Sequence, residues 1–582
     1  MIMKEIELVV VQAQENGVIP NHVKEFLIRD HPRTPVLYLL PKIHKSLSNP
    51  PGRPIVSGIG SVLEPLAKFV DSFLQPCVMD INTCLKDTTD LLRRLGEIKE
   101  LKSNVILCSI DIQSLYTSIP QDEGIRYVED ALLDTNLPHQ LIYFLVDCLN
   151  IVLKKNYFRF AGEFYWQKQG TSMGAAVAPS FANIFVHRLE KQLFLIEPYI
   201  QHLVGYYRFV DDILVIWDGP LSGFEDMVRT ANQAHPTIKF TTEIGAHKIN
   251  FLDVTITIEN GQINTNLYRK STDKNNILHA SSYHTPNIIR AIPKGQFIRA
   301  RRISTREVDY TVASNTLKER FIKRGYKPKL IETCAKEVQR MPRENLLTYK
   351  TKNEQRCLPF VSQYNENSKG IERIVHRYWP ILLQDKILRN VLIKPPLFSY
   401  TKGKSLRDIL CQPEVNPVKK GAQRFLGKPQ KGTFACLNCI CCSSIIKGEV
   451  LHHPTQGTPI KVRHFATCDT SNVVYLLKCP CGMGYVGQTG RPIKTRIKEH
   501  RGSIRNFKKG TSTDTTVSRH FNLANHNLTQ LKWTVLETMQ PLQRGGDIQK
   551  FRLQREAFWI KKLDTMQPKG LNDSWSIKCF LG

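Results

Sequence analysis

Residues 206–217 read YYRFVDDILVIW. Two adjacent aspartates, Asp211 and Asp212, interrupt a run that is apolar or aromatic on both sides. The pattern predicts a β-hairpin with carboxylates at its tip. Like charges side by side on a buried hairpin repel each other, which is costly unless a cation shares them. Mg²⁺ is the natural cation, and two-metal phosphoryl transfer is the natural chemistry. Such a site needs a third carboxylate. VILCSIDIQSLYTSIP (105–120) offers Asp111 at the end of an apolar strand, 105–110.

Five residues after Asp111 comes Tyr116. A strand-to-helix connection there puts the aspartate on metal and the ring below an incoming sugar, where it collides with a 2′-hydroxyl. Further on, in KQGTSMGAAVAPSFANIFVHRLE (168–190), Gly170 and Gly174 are positions where backbone can approach a ligand closely. The segment after them reads as a helix entered through Pro179.

The 582 residues suffice for three or more domains, and 41% hydrophobic content supports folded cores. A formal net charge of +29 points to a polyanionic partner, above all nucleic acid. No apolar run reaches transmembrane length; the longest, LIYFLVDCLNIVL (141–153), is broken by Asp147 and reads as a buried helix. The start, MIMKEIELVVVQAQE, has acids ahead of its apolar stretch and no small-residue cleavage site, so it is not expected to be a signal peptide.

The organisation expected is a multidomain α/β protein. Residues 1–270 alternate helix and strand patterns. Residues 271–400 read as helical and basic, with eleven Lys or Arg against three acids between Lys294 and Lys329. That stretch is either a solvated helix face or a surface that tracks a nucleic-acid backbone. Residues 401–432, rich in Lys, Gly and Pro, read as a linker. A Cys-rich module (433–470) and a compact α/β domain (471–582) follow.

Seven of the fifteen cysteines lie between Cys436 and Cys481, a clustering that favours metal over disulfides in an intracellular protein. CLNCICC (436–442) supplies Cys436, Cys439, Cys441 and Cys442, and Cys468 follows. Cys436, Cys439, one of the next two and Cys468 make a four-sulfur Zn²⁺ site; C-x₂-C-x₂-C spacing favours Cys442. His452, His453 and His464 are possible substitutes. Cys479 and Cys481, with His520 and His526, make a second, closed Cys₂His₂ site of structural type. Free buried thiols and core histidines are the plainer alternatives.

In NVVYLLKCPCGMGYVGQTGRPIKTRIKEH (472–500), two short strands carry Tyr475 and Tyr485, and Arg496 and His500 share one face of the next helix. FRLQREAFWIKKL (551–563) places Glu556 among apolar neighbours, where a carboxylate wants a cation or a partner. Asn572 follows in KGLND.

Taken in order, LPKIHK (40–45), RPIVSG (53–58), SIDIQSLYTSIP (109–120), QGTSMGAAVAPSFANIF (169–185), FVDD (209–212), INFLDVTI (249–256) and YRKSTDKNNILHASSYH (268–284) resemble the palm motifs of reverse transcriptases, and together those of Penelope-like retroelement proteins. That resemblance implies a right-hand polymerase: fingers and palm over 1–270 and a helical thumb over 271–400. It implies that Asp111, Asp211 and Asp212 bind two Mg²⁺, with Asp212 the least certain ligand. It makes Tyr116 the sugar gate and puts Gln169 and Gly170 in the turn against the template–nucleotide pair. Arg53, with Lys42 or Lys45, would hold triphosphate oxygens. Asp253 would pack the sheet beneath the site, and Lys248 would donate a proton to pyrophosphate.

The C-terminal pattern resembles GIY-YIG endonucleases, with VVY and YVG in place of the two tripeptides. The resemblance implies that Glu556 binds one divalent metal and that Arg496 neutralises the transition state. Tyr475 or Tyr485 would handle the attacking water, His500 a second proton, and Asn572 positioning. The Cys₂His₂ site is expected within this nuclease.

Together these imply an RNA-directed DNA polymerase coupled to a DNA-nicking endonuclease. Its partners are an RNA template, a DNA target and primer, and deoxynucleotides; its cofactors are Mg²⁺ and one or two structural Zn²⁺. A DNA target implies a nuclear location. Two other readings stand beside this one: a nucleic-acid-binding protein without turnover, and a telomerase-like terminal polymerase.

Overall fold

The computed structural model describes residues 2–43, 46, 48–270, 272–349, 358–392, 394–401, 403, 406, 410, 431–437, 439–454, 456–540, 542 and 544–580. The chain divides into two compact units, residues 1–28 with 35–417, and residues 29–34 with 418–582.

At the centre of the first unit is a four-stranded antiparallel sheet. Its strand order is Leu203–Phe209, Asp212–Trp217, Ile106–Ile112, Phe240–Ile244. The two central strands are apolar at nearly every position because both faces of the sheet are covered. Alternation sends Cys108, Ile110, Ile213, Val215 and Trp217 into one core, with helices Glu64–Met79, His139–Lys154 and Ala178–Leu193. It sends Leu107, Leu214 and Ile216 into another, with helix Thr88–Glu97 and the three-stranded sheet Gln262–Leu267, Val254–Glu259, Lys248–Phe251. A charge anywhere along these strands would be buried, so the acids stand where the strands end. The 141–153 run lies in helix His139–Lys154, with Leu145, Cys148, Leu149 and Val152 buried.

A second sheet in this unit has the order Gly52–Ser57, Val36–Pro41, Tyr157–Phe160, Glu163–Trp166. Helices Pro286–Ile303, Glu307–Ile322 and Pro328–Gln339 then pack around Phe297, Leu317, Phe321, Ile331 and Val338. Within 271–400 the described residues are mostly helical, and Pro359–Gln363 and Leu397–Thr401 add a parallel strand pair. Most of the linker read over 401–432 lies outside the described residues.

The second unit is built on the antiparallel sheet Gly484–Thr489, Val473–Lys478, Lys532–Thr538, with helices Ile493–Arg505, Thr516–Leu523 and Ile548–Lys562. The Cys-rich segment and this sheet share one core, since Cys441, Ala466 and Cys468 pack with Val473, Tyr475, Val535 and Trp533. Among the described residues, no helix is long and apolar enough to cross a membrane.

Candidate functional site

The hairpin places its acids as the sequence pattern suggests. Phe209 and Asp212 close the two strands, leaving Val210 and Asp211 as the turn. Asp111 lies directly across from Asp212 on the neighbouring strand, and the Ile112 N–H donates to the Asp211 carbonyl at 3.1 Å. An adjacent pair of aspartates and a third from a distant part of the chain are thereby brought to one end of the sheet. Asp111 lies inside strand Ile106–Ile112 rather than just beyond an apolar strand. Lost hydration, then the charges of Asp211 and Asp111, push the Asp212 carboxyl up to about 6, with Lys270 pulling the other way. A divalent cation would reverse that shift, so the donor set fits one. Lys270 is a neighbour that sequence reasoning did not single out.

The turn is strained. Val210 has φ +58°, a left-handed conformation disfavoured for a β-branched residue at a cost of roughly 1–3 kcal/mol. A buried network holds it. Arg208, two residues earlier and fully buried, donates from Nη1 to the Val210 carbonyl at 3.3 Å. Its Nε donates to Glu190 Oε1 at 2.6 Å and its Nη1 also to Asn183 Oδ1 at 2.6 Å. Thr83 Oγ1 donates to Glu190 Oε2 at 2.8 Å. The only sequence sign of this network is a lone arginine inside YYRF.

Gly170, at φ +70°, has no room for a Cβ: one would lie 2.4 Å from the Tyr116 carbonyl oxygen. The Thr171 N–H donates to that same oxygen at 2.7 Å. Gly174, at φ +129°, would place a Cβ 2.3 Å from the Val56 carbonyl oxygen. Both approaches are to the protein's own backbone: the first braces Tyr116, the second strand Gly52–Ser57. Gln169 is exposed.

Tyr116 lies in the short helix Leu115–Ser118. Burial and the Asp211 charge raise its hydroxyl, and Arg53 opposes them, so Tyr116 lies within electrostatic reach of both. Arg53 is exposed and paired across strands with Leu40. Lys42 is half-buried at the end of that hairpin, and its N–H donates to the Pro51 carbonyl at 2.8 Å. Lys45 lies outside the described residues. Asp253 accepts from Arg299 at 2.6 Å and from Thr88 Oγ1 at 2.6 Å, tying helix Pro286–Ile303 to the three-stranded sheet. Lys248 is paired with Thr257 within that sheet.

In the second unit Tyr475 is fully buried; its hydroxyl meets His500 Nε2 at 2.8 Å and accepts from Arg496 Nε at 3.3 Å. Burial and Arg496 hold His500 at about 3, so it is neutral at ordinary pH. Burial raises Tyr485, as do the charges of Glu556 and Asp573, while Arg496 opposes them. Glu556 is pushed up to about 7 by burial, against a hydrogen bond from the Gln488 backbone and the Arg496 charge. Asn572 grips strand Gly484–Thr489 as a peptide would: Oδ1 accepts from the Val486 N–H at 2.9 Å, and Nδ2 donates to the Val486 carbonyl at 2.8 Å.

Among the described residues, two clusters bring four possible metal-ligand atoms to within 4.8 Å of one another. The first is Cys436, Cys439, Cys442 and Cys468. Cys442 Sγ lies 3.7, 3.6 and 3.7 Å from the sulfurs of Cys436, Cys439 and Cys468. A tetrahedral Zn²⁺ with bonds near 2.3 Å spaces its sulfurs about 3.8 Å apart, so the set fits. Burial opposes ionisation of Cys442, but hydrogen bonds from the other cysteines prevail and lower it to about 6. Cys441 points elsewhere, toward the Lys494 carbonyl. His464 is not in the cluster, nor are His452 and His453. The second cluster is Cys479, Cys481, His520 and His526. Cys481 Sγ and His520 Nε2 are 3.2 Å apart, the sulfurs of Cys479 and Cys481 are bonded, and the buried His526 Nε2 has no hydrogen-bond partner. That orphaned nitrogen, grouped with the two cysteines and His520, is what a metal site leaves.

Compared with known proteins, residues 51–258 match the reverse transcriptase (RNA-dependent DNA polymerase) family, and residues 276–336 match the animal helix-turn-helix domain. The first unit thus carries a reverse transcriptase domain that contains all three aspartates. No curated protein matches the sequence. Among solved structures, a Candida albicans telomerase bound to an RNA fragment is 11% identical, with a TM-score of 0.40, over 54% of this chain and 56% of that one. A sicinivirus RNA-dependent RNA polymerase is 11% identical, with a TM-score of 0.38, over 55% and 70%. A picobirnavirus RNA-dependent RNA polymerase is 9% identical, with a TM-score of 0.37, over 53% and 60%. This chain spans about half the length of the telomerase it matches.

Proposed function

We propose that this protein is an RNA-directed DNA polymerase joined to a DNA-nicking endonuclease, of the Penelope-like type. The observation that carries the polymerase half is the cross-strand pairing of Asp111 with Asp212 beside the Asp211 turn, inside a reverse transcriptase domain. The three aspartates would hold Mg²⁺, which supplies activation of a primer 3′-hydroxyl and charge stabilisation on the pyrophosphate leaving group. The rest falls to side chains. Tyr116, braced by Gly170 and Thr171, closes the floor against a ribose 2′-hydroxyl. Arg53 offers a guanidinium to triphosphate oxygens. The Arg208–Glu190 pair keeps Asp211 at the tip.

The nuclease half is supported by the convergence of Tyr475, Tyr485, Arg496, His500 and Glu556 on one sheet–helix seam. Glu556 would hold a divalent ion, and Arg496 neutralises charge developing on the scissile phosphate. Tyr475 is enclosed and tied to His500, so Tyr485 is the tyrosine we assign to the attacking water. Asn572 acts by holding the Tyr485 strand. The cysteine clusters would hold structural Zn²⁺.

In use, a nick exposes a DNA 3′-hydroxyl, and the polymerase extends it along an RNA. The basic 294–329 region would grip the duplex by its backbone, a role suited to helices of helix-turn-helix type. This reading carries a nuclear location with it. The test is a nicking-and-extension assay on supercoiled plasmid with a defined RNA. Asp211→Ala should abolish extension and spare nicking, and Glu556→Ala the reverse. Loss of both activities in either variant, or no Mg²⁺-dependent incorporation by the wild type, overturns the proposal.

A further inference from the structure

One flank of helix Ile493–Arg505 is a basic stripe that the nuclease chemistry leaves unused. Ile493, Ile497 and Ile504 are buried and seat the helix on its core. With 3.6 residues per turn, Arg496 and His500 fall to one side of that apolar line, where both meet the Tyr475 hydroxyl. Lys494, Lys498, Arg501 and Arg505, at i, i+4, i+7 and i+11, fall to the other side. The acid of this helix, Glu499, stands away from them and pairs with Arg491 and Arg496. Lys494 pairs with Asp469. Among the described residues, Lys498, Arg501 and Arg505 have no carboxylate partner.

The four-cysteine knuckle sits against the start of this stripe. The Lys494 N–H donates to the Cys468 carbonyl at 2.9 Å, and Cys441 Sγ donates to the Lys494 carbonyl at 3.7 Å. Lys498 and Arg501 lie within electrostatic reach of Cys441. Two apolar side chains stand out between the cysteines: Leu437 is 89% exposed and Ile440 65%. Their backbone is pinned on both sides, because Cys436, Cys439 and Cys442 converge on one cluster.

Fixed, uncovered aliphatic side chains beside unpaired cations suit an occupant with an anionic backbone and open apolar faces. Unpaired nucleobases on a phosphate chain supply both, whereas a duplex hides its base faces; zinc knuckles as a class read unpaired RNA. The stripe runs about 16 Å, the length of roughly five stacked nucleotides. The body of the helix, about 10 Å across, stands between the stripe and Arg496, so DNA seated for cutting leaves the stripe free.

We infer that the second unit carries an RNA-binding surface, with Lys498, Arg501 and Arg505 on the phosphates of a single strand and Leu437 and Ile440 against an unpaired base. That this RNA lies apart from the DNA being cut rests on the nuclease reading; the binding itself does not.

The test cross-links the full chain to a single-stranded RNA oligomer carrying thiouridine, at subsaturating RNA, and maps the adducts by mass spectrometry. Adducts should fall within 436–442 and 494–505. Leu437→Ser with Ile440→Ser should lower them by about tenfold, the order expected for two lost aliphatic contacts, and leave adducts in the first unit unchanged. Lys498→Gln with Arg501→Gln and Arg505→Gln should reduce the slope of log adduct yield against log salt by about 2, since each phosphate contact to a single strand contributes about 0.7. Should the glutamine variant unfold, the serine variant decides, because both of its positions are exposed. No wild-type adducts in these segments, or serine variants that cross-link like wild type, overturn the inference. So do adducts that duplex DNA, or a DNA oligomer of the same sequence, competes away better than RNA does. Plasmid nicking by a folded glutamine variant should be unchanged; its loss puts the stripe on the DNA being cut and overturns the separate surface. A wild type that cross-links as expected but never nicks sinks only the nuclease reading.

Discussion

The acidic site of the first unit and the tyrosine–histidine–arginine site of the second solve opposite electrostatic problems. The hairpin tip gathers three like charges where two apolar strands run out, and Lys270 opposes the repulsion felt by Asp212. The other site buries its polar groups in a seam where they satisfy one another: Tyr475 with His500 and Arg496, and Arg496 with Glu499. Both nevertheless contain a carboxyl that titrates near neutrality. Asp212 reaches about 6 through lost hydration compounded by two neighbouring carboxylates. Glu556 reaches about 7 through lost hydration, with Arg496 opposing it. A site strained by repulsion is organised by a cation. A site strained by burial is already organised and needs one only for chemistry.

The largest effect should come from the four-sulfur cluster, whose cysteines share a core with the nuclease sheet. Cys442→Ala, or a strong chelator, should unfold the second unit, since structural Zn²⁺ binding contributes on the order of 10 kcal/mol. Primer extension by the first unit should survive. Unchanged thermal unfolding of the second unit would remove zinc from the account. Zinc content and thiol titration also decide whether Cys479 and Cys481 are ligands or a disulfide: a site holding metal yields both as free thiols after chelation.

Next in size is the network behind the acidic turn. Glu190→Ala leaves Arg208 buried without its counter-charge and should cost about 3–5 kcal/mol in an unfolding titration. Glu190→Gln keeps part of the hydrogen bonding and should cost less. If it still weakens extension at limiting Mg²⁺, the network sets the position of Asp211 rather than only stabilising the palm. If extension follows stability alone in both variants, the network is only structural.

Smaller effects should appear with pH. A carboxyl raised in the folded state destabilises when ionised. Metal-free stability should therefore rise as pH falls from about 7 toward 4, through the Glu556 value and then the Asp212 value. Activity should run the other way, because both groups must be ionised to hold metal. At limiting Mg²⁺, extension should fall below about pH 6 and nicking below about pH 7, and added Mg²⁺ should shift both inflections downward. A shared inflection would dissolve the contrast between the sites.

The chemistry at chain positions was readable in the sequence, but the partners of those positions were not. Adjacent aspartates between apolar strands announce a tip, and an aspartate closing another apolar run announces its neighbour, because burial on both faces leaves charge nowhere else to stand. C-x₂-C-x₂-C spacing likewise favours Cys442 over Cys441. Spacing does not say what approaches a glycine, and for Gly170 and Gly174 it is the chain's own backbone. Nor does it reveal that Arg208 in one strand pairs with Glu190 in a helix, or that Lys270 comes beside Asp212. Those juxtapositions are made by tertiary packing. The strands at 359–363 and 397–401 escaped for the same reason, since their pairing joins segments far apart in the chain.

The most direct test of the central claim is a count of divalent ions at the hairpin. Mn²⁺ can be titrated by electron paramagnetic resonance into Glu556→Gln protein carrying a primed RNA template and a non-hydrolysable deoxynucleotide. The account predicts two ions, with Asp111→Asn and Asp211→Asn each losing at least one of them along with extension. Ion binding that neither substitution alters would contradict it.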